Sequence, residues 1–342
     1  MDFSSDTSAA AHPRVLESMA GANFGMEGSY SNDSFTARAR ALLAETFETD
    51  DFDLWMCASG TASNSLALSC FCPPTGSILC HEEAHIERDE RGAPEFFTGG
   101  GKLALLEGHG AIIDETALRS ALASIDRTFV HETPPHVLSL TNLTECGTAY
   151  PVETVRNYAA LAREANLIVH LDGARFGNAL AGTDSSPADM SWRAGADVLT
   201  FGLTKTGAIG CEIIMLFGEA RAKFAELQAR AKRSGHMPPK MRFLAAQAIA
   251  LLEDGLWLSL AHHANTMATQ LANALCTVPG VSLAYPVHGN EVFAVLPNEM
   301  AKALMDAGAK FYPWPGGSHR FVCNWNTSQD EIDTLCNFIA SI

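Results

Sequence analysis

Between residues 167 and 210 the chain reads LIVHLDGARFGNALAGTDSSPADMSWRAGADVLTFGLTKTGAIG. An apolar run from Leu167 to Leu171 has strand character and stops at Asp172-Gly173-Ala174-Arg175. A second, from Val198 to Phe201, stops at Thr204-Lys205-Thr206-Gly207. Two strands with no polar face, each releasing charged residues at its C-terminal end, suit an open α/β sheet, whose ligands bind at that edge. The released groups are one acid, one arginine and one lysine flanked by threonines. A lysine able to form a Schiff base and an acid able to face a ring nitrogen fit pyridoxal phosphate. Taken singly, Lys205 would pass for a surface lysine and Asp172 for a turn cap. Together, each directly after a strand, they favour the cofactor.

HLDGARFGNA and DVLTFGLTKTG resemble the cofactor motifs of threonine aldolases, in the β-eliminating lyase branch of fold-type I pyridoxal phosphate enzymes, and the likeness runs over nearly the whole chain. The resemblance implies an α/β fold with a large domain, built on a mostly parallel seven-stranded sheet, and a small α+β C-terminal domain. The large unit would span residues 1–246, with an N-terminal arm over 1–12, and the small one residues 247–342. The chain has 342 residues, 47% of them hydrophobic, enough to bury a full core. From about residue 247 the pattern changes. A long helix from Ala248 to Asn273 precedes strands at Val281–Tyr285 and Val292–Leu296, a helix at Asn298–Asp306 and a strand at Lys310–Trp314. Upstream, helices are expected from Ala37 to Phe47, from Pro187 to Ala194 and over residues 219–233.

A net charge of −16 argues against nucleic acid as a partner, which needs a basic footprint. No apolar run approaches 18 residues, so no membrane span is expected. The N-terminus MDFSSDTSAAAHP has neither the basic nor the apolar region of a secretory signal. Nine cysteines at irregular spacing fit reduced thiols, hence a cytoplasmic protein.

Ala58-Ser59-Gly60-Thr61-Ala62 turns a short strand into a helix, and small residues at a helix N-terminus make an anion cup. Ser59, Gly60 and Thr61, with Asn64 behind them, are expected to hold the cofactor phosphate. His81-Glu82-Glu83-Ala84-His85 matches H-E-x-x-H, a zinc-protease pattern that needs both histidines on one helix face. It follows a strand, however, and no later histidine has the spacing of a third ligand, so no metal is assigned. The resemblance uses His85 alone, stacked over the cofactor ring, with Glu90 and Arg91-Gly92-Ala93 supporting its loop.

The resemblance assigns the remaining roles. Asp172 would pair with the ring nitrogen and Lys205 with the cofactor aldehyde. Ser5, in Ser5-Asp6-Thr7, would join Arg175 and Arg320 in holding the substrate carboxylate, Arg175 being equally suited to a cofactor ring oxygen; by itself the tripeptide is a helix-cap signal. Tyr30-Ser31-Asn32-Asp33 resembles the family's Tyr-Gly-Asp-Asp loop, which reaches a neighbouring subunit, and only Tyr30 and Asp33 carry over. Arg242, then Lys232, would approach the phosphate across that boundary. Thr144 stands where many threonine aldolases have histidine, which leaves His85 as the base. The implied reaction cleaves L-threonine, L-allo-threonine and related β-hydroxy-α-amino acids to glycine and an aldehyde, in a homo-oligomer, a tetramer built from dimers. Three alternatives stay open: a β-eliminating lyase using the same residues, a zinc hydrolase using His81 and His85, and a protein that binds the cofactor without turnover.

Overall fold

The structure, a computed structural model, describes residues 1–341. The chain first lays down β1 (Phe52–Cys57), β2 (Ser77–His81) and β3 (Lys102–Leu106), then a small hairpin of β4 (Gly108–His109) and β5 (Ile112–Ile113). β6 (Pro135–Thr141), β7 (Ile168–Gly173), β8 (Val198–Gly202) and β9 (Glu212–Phe217) follow. The large sheet has seven strands in the order β1-β9-β8-β7-β6-β2-β3, and every pairing is parallel except those made by β9. β8 and β9 are buried at every residue, as expected of strands covered on both faces. The apolar runs ahead of Asp172 and Lys205 are therefore central strands, and the mostly parallel seven-stranded sheet agrees with the expected architecture.

β10 (Ser282–Leu283), β11 (Glu291–Val295), β12 (Tyr312–Trp314) and β13 (Ser318–Val322) form a separate antiparallel sheet in the order β10-β11-β13-β12. It has its own core, in which Leu271, Leu275, Val292, Phe321 and Leu335 enclose Phe3 from the chain's start. Phe3 is stitched there by its amide to the Lys310 carbonyl (2.9 Å) and by the Val322 amide to its own carbonyl (2.8 Å). The N-terminal arm thus crosses to the C-terminal sheet, which fixes residues 4–8 above the edge of the large one.

Several expected elements differ for local reasons. The single helix from Ala248 to Asn273 is two, Arg242–Leu252 and Leu256–Leu275, because Asp254 (φ 57°) and Gly255 (φ 63°) take left-handed conformations. These two helices make the one stretch among the described residues apolar and long enough to cross a bilayer, but it is broken at that kink and 56% of its most apolar window is buried in the fold. The helix from Pro187 shrinks to one turn at Trp192–Ala194, stopped by left-handed Gly195. Residues 219–233 begin as a tight turn, Gly218–Lys223, before the α-helix Phe224–Arg233. The second long helix starts at Ser34 rather than Ala37, because the Asp33 carboxylate accepts the Thr36 amide and caps it.

Candidate active site

Parallel register brings the charged loops together. Asp172 on β7 lies between Thr141 of β6 and Thr200 of β8, so these strands end on one edge. A Cβ on Gly202 would sit 2.7 Å from the Ala174 backbone. Glycine at that point lets the loop carrying Lys205 lie against the loop after Asp172. β9 runs the other way, so its first residue, Glu212, meets the same edge between Cys57 and Gly202.

A cavity of about 230 Å³ opens at this edge, lined by Ser59, Gly60, Thr61, His85, Asp172, Arg175 and Lys205 among others. Seven of the expected site residues thus meet in one pocket. Part of its wall is the N-terminus of helix Gly60–Phe71. The first helical bond runs from the Ser63 amide to the Ser59 carbonyl, and the Ser59 hydroxyl takes the Ala62 amide. The Gly60 and Thr61 amides then have no acceptor among the described residues, as the first amides of a helix lack one. A Cβ on Gly60 would meet nothing within 4 Å, so this cradle is open.

Hydrogen bonds tie Asp172 to His85. Asp172 accepts from the Ala174 amide (2.9 Å) and from Asn64 Nδ2 (2.7 Å). Asn64 Nδ2 also reaches Glu90 Oε1 (3.0 Å), and that oxygen lies 2.9 Å from His85 Nδ1. Glu90 is fully buried, whereas the His85 side chain keeps 38% of its exposure. A carboxylate on Nδ1 fixes the tautomer and leaves Nε2 free for the pocket. Burial alone would lower the His85 pKa, but the Glu90 hydrogen bond and the Asp172 charge outweigh it, and the ring titrates above its ordinary value.

Two further acids complete the lining. Burial pushes both Glu145 and Glu212 up to about 7. Glu145 Oε1 accepts the His85 amide at 2.8 Å. Buried, unpartnered oxygens face this region among the described residues: Asn64 Oδ1, Glu90 Oε2, Glu145 Oε2 and Glu212 Oε2. The donor set suits a phosphorylated pyridine aldehyde, with amides for a phosphate, a lysine for the aldehyde, an acid for the ring nitrogen and unfilled polar atoms around them.

Arg175 enters the pocket already engaged. Its Nε donates to Asp6 Oδ2 at 2.7 Å, and Nη1 lies 3.2 Å from Glu291 Oε2. Burial would lower its pKa, yet Asp6 and Glu291 hold it above the ordinary guanidinium value. Arg320 stands behind it, 3.9 Å from Glu291 Oε1 and 4.9 Å from the Trp314 ring centre, outside the pocket wall. Ser5 also lies off the wall; its hydroxyl caps the Thr7 amide at 3.2 Å, and Thr7 is the arm residue that lines the cavity.

Tyr30 and Arg242 are away from the cavity. Tyr30 (φ 61°) bonds through its amide to the Pro239 carbonyl, and Lys232 Nζ sits 4.8 Å above its ring. The 21–36 loop and the basic segment therefore face each other. Thr144 is buried and donates to the Gly110 carbonyl at 3.0 Å. The five residues of H-E-x-x-H do not share a helix: His81 ends β2, its Nδ1 accepting the Glu83 amide (2.9 Å) and its Nε2 facing the Gly108 carbonyl (3.3 Å). Both its nitrogens are committed, which removes the geometric basis of the zinc reading.

The profile of the family described as Beta-eliminating lyase matches residues 2–299. The low specificity L-threonine aldolase of Pseudomonas aeruginosa is 40% identical over 338 residues, covering 98% of this chain and 96% of that protein. The enzyme of the same name from a Pseudomonas species is 38% identical over 341 residues, covering 99% and 97%. Among solved structures, the threonine aldolase of Leishmania major superposes with a TM-score of 0.92 at 28% identity, over 99% of this chain and 98% of the other. The histidinol-phosphate aminotransferase of Clostridium acetobutylicum, at 14% identity and a TM-score of 0.73 over 100% and 98%, shares the fold.

Proposed function

This chain belongs to the β-eliminating lyase family, and from that premise we propose a carbon–carbon lyase of the threonine aldolase kind that uses pyridoxal phosphate. It cleaves L-threonine, L-allo-threonine and related β-hydroxy-α-amino acids to glycine and an aldehyde. The observation that carries this reading is the chain of hydrogen bonds from Asp172 through Asn64 and Glu90 to His85, beside Lys205 in a single pocket.

When bound, the cofactor supplies an electron sink for the pair released at the substrate α-carbon. Lys205 would hold its aldehyde carbon, Asp172 its ring nitrogen, and Ser59, Gly60 and Thr61 its phosphate. Ala174 and Asn64 keep the Asp172 carboxylate aimed into the pocket. Arg175, with Arg320 and Ser5 behind it, orients the substrate carboxylate. His85 Nε2 takes the β-hydroxyl proton, and Glu90 faces the charge that this places on the ring. Elimination would instead need the α-proton removed, so products separate the two chemistries. Assayed with the stereoisomers of threonine and phenylserine, the enzyme is expected to release equal glycine and aldehyde. Release of an oxo acid and ammonia instead would refute the aldolase reading.

We further infer a homo-oligomer, a tetramer built from two dimers, whose sites take Tyr30, Arg242 and Lys232 from a neighbour. Fully exposed Met26 and 79% exposed Phe24 in the same loop support this, as does the buried, unpartnered Arg242 Nε. The separate cores support a large and a small domain with the arm crossing between them; residues 248–252 and Trp257 pack in the large core, so the boundary falls within the helix Leu256–Leu275 rather than at residue 247. The free state of all nine cysteines supports a cytoplasmic setting.

A further inference from the structure

At the pocket wall Arg175 pairs with two acids that are held very differently, Asp6 and Glu291, and shares the second with Arg320. Asp6 accepts three hydrogen bonds, from Arg175 Nε at 2.7 Å, from Arg175 Nη2 at 3.3 Å and from Asn290 Nδ2 at 3.2 Å. Glu291, at the start of β11, lies within ion-pair reach of both guanidinium groups, at 3.2 and 3.9 Å. Yet neither of its oxygens has a hydrogen-bond donor among the described residues, and its side chain is fully buried. Arg320 Nε and Asn290 Oδ1, on either side, are buried and unpartnered as well. Buried polar groups in a finished structure are bonded, so this cluster is arranged for an occupant it does not supply.

The charges say what kind. With both acids ionised, two arginines and two carboxylates sum to zero, and a substrate carboxylate would add an unbalanced buried negative charge, which low-dielectric surroundings disfavour. Protonating Glu291 restores neutrality and turns it from a competitor for the guanidinium groups into a donor. We propose that Glu291 is the exchangeable counter-ion of the carboxylate subsite: the substrate carboxylate docks on the Arg175–Arg320 pair as Glu291 takes up a proton, so binding consumes one proton. The inference rests on the aldolase reading only in naming the ligand a substrate.

The surroundings of Glu291 agree. Burial raises its pKa, Arg175 and Arg320 pull it down, Asp6 from the arm raises it again and Lys205 lowers it, with a net rise. On its other side Cys146 feels the Glu291 charge. There a Cβ on Gly147 would come within 3.2 Å of the Glu291 side chain, so glycine lets that turn close over it.

The test uses the loaded enzyme and 3-hydroxybutanoate, a carboxylate with no amine to react with the cofactor. Titration calorimetry in two buffers of different ionisation enthalpy, from about pH 6 to about 9, should show uptake approaching one proton per ligand. Affinity should fall up to ~10-fold per pH unit where the free site is ionised. Glu291→Gln should bind with that uptake removed and with affinity flat over the same range. His85 also titrates, and this variant assigns the proton. Binding to the wild type without proton uptake, no binding of the hydroxy acid, or uptake unchanged in Glu291→Gln would each overturn the proposal. Threonine cleavage measured in parallel keeps the two claims apart. Proton-linked binding without cleavage would fail the aldolase reading alone, and cleavage without proton-linked binding would fail this one alone.

Discussion

Glu90 Oε1 lies 2.9 Å from His85 Nδ1, and the same oxygen accepts from the amide that holds Asp172. One buried carboxylate therefore sets the orientation of the proposed base and of the group for the ring nitrogen. His85 must be neutral to accept a proton, so kcat at saturating substrate should rise with pH as its raised pKa is passed. Glu90→Gln keeps a hydrogen-bond acceptor on Nδ1 but removes the charge that raises the pKa. Its rising limb should move to lower pH, with a smaller plateau. An unmoved limb would show that another group controls it.

His85→Asn should lower turnover by ~10²–10⁴-fold, the usual worth of general-base help, while the cofactor still binds. His85→Phe keeps an aromatic face without a base and should lose a similar factor. His81→Ala should leave turnover per folded enzyme near the wild type, because both its nitrogens serve the loop. If chelators inactivate the protein and zinc restores it, the zinc reading returns.

Glu212 should make the cofactor-free protein less stable as pH rises. Its pKa climbs from 4.5 to about 7 on folding, so between those values the folded state keeps a proton that the unfolded chain has lost. Stability from this group is full below about 4.5, is lost as pH passes about 7, and amounts to ~3 kcal/mol at most. Denaturant unfolding at about pH 5 and about pH 8 should show the loss, and Glu212→Gln should shrink it. An equal loss in the variant would remove Glu212 as its source.

Arg242→Ala and Lys205→Ala should each be inactive alone, and mixing them after mild dissociation should restore part of the activity. Shared sites require this, since a hybrid dimer contains one site with both native residues. Failure to complement, or a fully active monomer, would contradict the shared-site arrangement.

What could be read early was what lies at strand ends. Asp172 and Lys205 each follow an apolar run, and the parallel order puts such ends on one edge. Glu212 sits at the beginning of a strand, and only the reversed direction of β9 brings it there. Glu145 was legible only as the neighbour of Thr144; burial and the bond to the His85 amide make it part of the site. Asp6 and Glu291 come from opposite ends of the chain and meet Arg175 because Phe3 docks in the C-terminal core. No periodicity encodes that contact. The helix break at Asp254-Gly255 had a dipeptide signal, outweighed by the apolar pattern on both sides.

The central claim is that the cofactor is held at the sheet edge by Lys205. Reduction of the loaded enzyme with borohydride, followed by proteolysis and mass mapping, tests it directly. The account predicts loss of the visible absorption band and a stable cofactor adduct on the peptide carrying Lys205, with no adduct in Lys205→Ala. An adduct on any other lysine, or a visible band that survives in Lys205→Ala, would contradict it.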